Sequence, residues 1–145
     1  MELTIRRIRP CDIEALVELQ NDNFTQPWSE HHFQDLLHKD YCHYLVALVG
    51  EQVVGFAGFA DICMEGNIDN VVVAKDYRRQ GIAKRLLVEL MAHGADFGVS
   101  IFTLEVRVSN QAAIALYESL GFVSEGIRPG FYDKPKEDAM IMWLR

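Results

Sequence analysis

Residues able to do anion or acid–base chemistry are concentrated in the second half of the chain: the turn R-R-Q-G-I-A at Arg78–Ala83, then Glu105, then Tyr117. The turn lies between the valine run Val71–Val73 and a helical pattern carried by Ile82, Leu86, Leu87 and Leu90. A helix start leaves backbone N–H groups unpaired and carries partial positive charge, so small residues there make a seat for an anion. Gly81 and Ala83 keep side-chain bulk away, and Arg78, Arg79, Lys84 and Arg85 add positive charge suited to a polyanion. A permissive turn before a solvated helix start explains the same residues equally well. Neither G-x-x-x-x-G-K-[ST] nor G-x-G-x-x-G occurs, so a P-loop and a dinucleotide fingerprint are excluded.

In I-F-T-L-E-V-R-V, strand alternation sets Ile101, Thr103, Glu105 and Arg107 on one face and Phe102, Leu104, Val106 and Val108 on the other. A carboxylate there is costly in a closed core, so Glu105 needs a wet cleft or a partner, and a neighbouring arginine is the plainer partner. Tyr117 follows Asn110 by two helical turns and shares its side of a helix, as a core tyrosine also would. Asn110 can cap that helix or bind a ligand. The histidines His31, His32, His38, His43 and His93 form no H-E-x-x-H, and Cys11, Cys42 and Cys63 form no C-x-x-C. No metal site or disulfide framework is expected, and a reducing cytosol is.

The elements that must hold these groups follow from periodicity and punctuation. Residues 2–9 alternate as a strand, and Pro10 and Asp12 open a helix through Ile13, Leu16, Val17 and Leu19. Pro27 breaks it, and Ser29 caps a second helix with Phe33, Leu36 and Leu37. Tyr41–Val49, Gln52–Ala60 and Asn67–Val73 predict an antiparallel meander. Helix Gly81–Phe97, strand Ile101–Val108, a helix from Asn110 to Leu120 stopped by Gly121, and strands Val123–Arg128 and Asp138–Leu144 complete a mixed α/β domain. The passage from Val71 to Val106 implies one parallel pair with a right-handed crossover.

At 145 residues, the chain is expected to be one domain over 1–145 that buries a core without disulfides or metal. A net charge of −7 argues against a basic nucleic-acid surface and favours an amine or a basic peptide. No stretch has the length of a membrane span or the core of a secretory leader, so a cytoplasmic protein, with no membrane contact and monomeric, is expected.

V-V-V-A-K-D-Y-R-R-Q-G-I-A resembles the acetyl-coenzyme A signature of the GNAT N-acetyltransferases, a valine-rich strand followed by R/Q-x-x-G-x-G/A, which falls on Arg78, Gly81 and Ala83. L-E-V-R-V-S-N-Q-A-A-I-A-L-Y-E-S-L-G-F (104–122), P-W-S-E (27–30) and E-D-A-M-I-M (137–142) are similar to the family's ribosomal-protein alanine N-acetyltransferases, the RimI group. The resemblance implies a GNAT-type mixed sheet of about seven strands with about four helices, and acetyl-coenzyme A as co-substrate. It implies that the amides of Arg78, Arg79, Gln80, Gly81, Ile82 and Ala83 hold the pyrophosphate, that Val71, Val72 and Val73 pair with the pantetheine arm, and that Asn110 and Tyr117 touch the cofactor. It assigns Glu105 as general base and Tyr117 as general acid, with Trp28 and Tyr132 as walls around the acceptor. Phe131 stands where the family's R-x-x-Y-Y pattern has a tyrosine.

The implied reaction is direct acetyl transfer to a protein N-terminal amine, alanine of a small-subunit ribosomal protein. Another N terminus, a lysine, a small amine, or a non-catalytic acyl-coenzyme A sensor are the alternatives. Neutralising an α-amine at pH 7 costs roughly 3 kcal/mol less than neutralising a lysine, which favours the N terminus for a carboxylate base.

Overall fold

The computed structural model describes residues 2–145. Its strands are β1 (Leu3–Arg7), β2 (Cys42–Val49), β3 (Gln52–Ile62), β4 (Glu65–Val73), β5 (Ile101–Arg107), β6 (Val123–Tyr132) and β7 (Glu137–Leu144). Its helices are α1 (Ile13–Asn23), α2 (Glu30–Leu36), α3 (Ile82–Asp96) and α4 (Gln111–Ser119). The strands form one sheet in the order β1-β2-β3-β4-β5-β7-β6, in which only β4 and β5 run parallel. This is the mixed α/β arrangement expected from the sequence.

Each face of the sheet builds its own core. On one, Ile82, Leu86, Leu87 and Leu90 of α3 and Ile114 and Tyr117 of α4 pack on Phe59, Phe102, Leu104 and Val106. On the other, Leu16 and Leu19 of α1 and Phe33 and Leu36 of α2 cover Tyr44, Val46, Phe56 and Val72. Ser29 caps α2 by accepting the His32 N–H at 3.2 Å, and Asn110 caps α4 by accepting the Ala113 N–H, also at 3.2 Å.

At two places strands run further than the sequence predicts. The β3–β4 hairpin turns on Cys63 and Met64, both with positive φ (54° and 71°), so β3 runs to Ile62 and β4 begins at Glu65. Neither residue is a usual choice for that conformation, which hid the tight turn. Strand β6 continues past Pro129 and Gly130 to Tyr132, because as an edge strand it tolerates the missing N–H, and a register shift between Arg128 and Tyr132 absorbs the two residues.

The start of the chain is locked by Asp12, which is 3% exposed and accepts from the Arg6 guanidinium at 2.8 and 2.9 Å and from the Arg9 N–H at 2.8 Å. Burial pushes this carboxyl up, but the Arg6 and Arg9 hydrogen bonds outweigh it and hold it below the usual carboxylate range. Asp12→Asn is therefore expected to cost about 3 kcal/mol in chemical denaturation. In the native protein this contribution is complete above the unfolded carboxylate value near ~3.9 and is lost as pH falls through the lower folded value.

Candidate active site

The parallel pairing of β4 with β5 lasts only from Glu65↔Ile101 to Ile68↔Leu104. Beyond it the strands diverge, and Val71–Val73 pair with β3 but have no strand partner on the β5 side. The sheet thus forks at its centre, leaving an extended edge that a chain-like ligand with amide groups can join.

At the mouth of the fork, α3 begins without a side-chain cap, unlike α2 and α4, and has no acidic residue in its first turn. Gly81 caps it with φ of +78°, and a Cβ built there meets nothing within 4 Å. Arg79 also has positive φ, at 64°. Alternating left-handed positions ahead of a helix aim consecutive N–H groups outward, a concavity suited to phosphate. Gln80, Gly81, Ile82 and Ala83 stand at this helix start, where the sequence resemblance assigned the amides that hold the pyrophosphate of coenzyme A. Arg79 adds an exposed charge, whereas the guanidinium of Arg78, also exposed, is tied to the protein, its Nε donating to the Val73 carbonyl at 3.1 Å and its Nη2 to Asn23 Oδ1.

Along β5, Phe102, Leu104 and Val106 enter the α3/α4 core, which puts Glu105 on the α1/α2 face just past the last pair of the fork. Its nearest cation is Arg128 of β6 at 3.7 Å, too long for a hydrogen bond. The sequence alternative, Glu105 paired with an arginine, is present as this one long ion pair. Tyr117 is buried on the α3/α4 side, and its phenol is pushed up to about 12 by burial and then by Tyr132. Among the described residues its hydroxyl has no hydrogen-bond partner, yet no buried side-chain polar atom is left unsatisfied, so that hydroxyl reaches accessible space. A proton stays on such a group until a strong base forms beside it.

Tyr132 links these groups. Its own phenol is raised by burial and then by the charge of Glu105, against Arg107, whose guanidinium lies 4.3 Å from the ring centre. Arg107 also donates to the Pro135 carbonyl at 2.8 Å and to Glu137 at 3.2 Å, fastening the β6–β7 hairpin. The Thr25 hydroxyl donates to the Lys134 carbonyl at 2.8 Å, so the α1–α2 loop bearing Trp28 meets the hairpin bearing Tyr132. Trp28 itself packs edge-on against Phe33, Tyr44 and Phe56, and its backbone N–H donates to Gln20 Oε1 at 3.2 Å. Tyr132 thus lies within electrostatic reach of both Glu105 and Tyr117, which occupy opposite faces of the sheet, and Trp28 joins the core beneath α2. Asn110 is occupied by its cap.

Sequence reasoning missed a polar group on the same face. Between Gly58↔Asn70 and Phe59↔Ile68 the β3–β4 register slips by one residue, leaving Asp69 as a bulge. The bulge turns two consecutive side chains toward α1 and α2. Asn70 accepts from Gln20 at 3.0 Å, and the Tyr44 hydroxyl donates to both Asp69 oxygens at 2.9 and 2.8 Å. Tyr44 spans β3 to do so, and its ring lies where Gly58 would carry a Cβ, 1.9 Å away. The signal available was D-N within a strand otherwise bound for the core.

Among the described residues, no cluster of three or more His, Cys, Asp or Glu could hold a metal ion, and no helix is long and apolar enough to cross a membrane.

Comparison with known proteins settles the lineage. The model of the acetyltransferase (GNAT) family matches residues 13–122. The chain belongs to that family. Among GNAT relatives, the ribosomal protein bS18-alanine N-acetyltransferase of Escherichia coli (strain K12) is 36% identical over 143 residues, covering 97% of this chain and 96% of the relative. The enzyme of that name from Haemophilus influenzae is 33% identical over 141 residues, covering 95% of each chain. The crystal structure of the ribosomal-protein-S18-alanine N-acetyltransferase from Escherichia coli matches with a TM-score of 0.90 at 34% identity, over 99% of this chain and 93% of that one. This GNAT protein is an acetyl-coenzyme A-dependent N-acetyltransferase, as the sequence resemblance implied.

Proposed function

We propose that this enzyme acetylates the N-terminal α-amine of a protein, namely the alanine terminus of ribosomal protein bS18, in the cytoplasm. The supporting observation is near-full-length likeness to enzymes of that specificity, and the geometry around Glu105 suits the chemistry. Acetyl transfer forms a C–N bond and breaks the C–S bond of the thioester. Overall the acceptor ammonium gives up two protons, one before attack and one from the adduct, while the departing thiolate takes one up. Glu105 removes the adduct proton, and Tyr117 protonates the sulfur from the other side of the fork. Val71–Val73 and the amides of Arg79–Ala83 hold the coenzyme, Arg78 standing beside them with its own N–H donated to the Lys75 carbonyl, with Asn110 and Tyr117 beside the coenzyme's arm, and Trp28 and Tyr132 flank the acceptor.

Direct transfer fits better than an acyl-cysteine route. Cys11 and Cys63 are exposed away from the fork residues, and burial followed by the Asp69 charge pushes the Cys42 thiol up, the wrong direction for a nucleophile.

Incubation with labelled acetyl-coenzyme A and ribosomal proteins from cells lacking this activity is expected to label the alanine terminus of bS18. Label confined to lysine side chains or to small amines overturns the assignment, and no label on any amine overturns catalysis.

A further inference from the structure

We propose that Asp69 is a second catalytic carboxylate, which binds the acceptor ammonium and takes its first proton before Glu105 acts. This rests on the reading of the site as an amine acetyltransferase. The transfer is balanced: the ammonium N–H bond breaks, the proton passes to a carboxylate oxygen of Asp69, and the nitrogen keeps the electron pair with which it attacks the thioester. Asp69 then returns its proton to solvent.

Three observations converge on this residue. Asp69 is the bulged residue immediately after Ile68, the β4 member of the last pair before the fork, and Glu105 immediately follows Leu104, the β5 member. The two carboxylates therefore flank the opening of the same gap on the same face. Second, the side chain is held in place, because Tyr44 donates to both oxygens, and Gly58 leaves room for the ring to cross β3. Third, Asp69 has no cation. From β2 it faces Tyr44 and the thiol of Cys42, and from α1 only uncharged Gln20 beside Asn70, while Glu105 lies on β5 across the gap. Among the described residues no Lys, Arg or His pairs with it.

A carboxylate on a solvent-exposed residue, held by a buried tyrosine beside the fork and without a cationic partner, is matched by an incoming ammonium. Its acid–base properties agree. Burial pushes Asp69 up to about 6, with the Tyr44 hydrogen bond acting against that push. Such a group is ionised at neutral pH yet basic enough to share a proton with an α-ammonium near ~8.

The test is the pH profile of kcat/KM for an alanine-terminated peptide between pH 5 and 9 on the intact protein, with thermal melts and acetyl-coenzyme A titration as controls. Asp69→Asn is expected to lower kcat/KM at least ~10-fold at pH 6.5 and to recover as pH rises toward the amine's own ionisation, with cofactor affinity unchanged. Tyr44→Phe, which keeps the ring and deletes the donor, is expected to move the acidic limb to higher pH. An Asp69→Asn loss that is equal at every pH, or no loss, overturns the proposal, as does an acidic limb unmoved in Tyr44→Phe. If the wild-type protein acetylates only lysine or a small amine, the bS18 reading fails, and the same profiles on that amine still decide the role of Asp69.

Discussion

Glu105→Gln is expected to lower kcat/KM for the acceptor by ~10²-fold or more while acetyl-coenzyme A binds as before. The substitution keeps size and polarity, and Glu105 is held only by a loose contact with Arg128 at 3.7 Å, so the fold loses little. That contact provides the control. If Glu105 were merely half of a surface ion pair, Arg128→Ala would cost as much as Glu105→Gln, and both would cost about 1 kcal/mol or less. As a base, Glu105 alone carries the rate loss. Tyr117→Phe completes the argument, because its ring stays in the α3/α4 core while only a hydroxyl with no protein hydrogen bond is removed. Steady-state kinetics that leave turnover intact in Glu105→Gln remove this residue from the chemistry.

Gly81→Val is expected to weaken acetyl-coenzyme A binding at least ~10-fold, the equivalent of about 1–2 kcal/mol of strain in a left-handed backbone position that valine resists. The cause is backbone conformation and not collision, since a Cβ at Gly81 meets nothing within 4 Å and φ is +78°. To relieve the strain the turn must rotate, and the amides at the start of α3 rotate with it. Arg79→Ala, by contrast, swaps one non-glycine residue for another at φ of 64° and removes one exposed charge, an effect of a few-fold. Isothermal titration that ranks Arg79→Ala as the more damaging change overturns the backbone-amide reading in favour of side-chain charge.

Periodicity made most of this architecture legible. The α3 stripe of Ile82, Leu86, Leu87 and Leu90 is the core face observed, and the alternation of β5 put Glu105 opposite Phe102, Leu104 and Val106. Caps written in local chemistry, Ser29 and Asn110, were also legible. What could not be read depends on contacts distant in sequence. The bulge at Asp69 arises from a register slip against β3, and its partner Tyr44 lies 25 residues earlier in the chain. The tethering of the Arg78 guanidinium depends on Asn23, 55 residues away. Tyr132 looked like a loop residue because Pro129 and Gly130 precede it, and only the edge position of β6 lets the strand run on.

The short β4–β5 seam has a mechanical meaning. Four residue pairs suture one raft of strands, β1 to β4, to another, β5 with β7 and β6. A ligand lying in the open part of that seam lengthens the suture, so occupancy and cohesion of the two rafts are thermodynamically linked. If the coenzyme binds there as proposed, it is expected by mass action to work as a removable staple, stabilising the protein by RT ln(1 + [L]/Kd). The amide protons of Val71 and Val73, on the seam side of β4, are expected to report it, exchanging with solvent in the free enzyme and slowing as the seam fills, whereas that of Val72 points to β3.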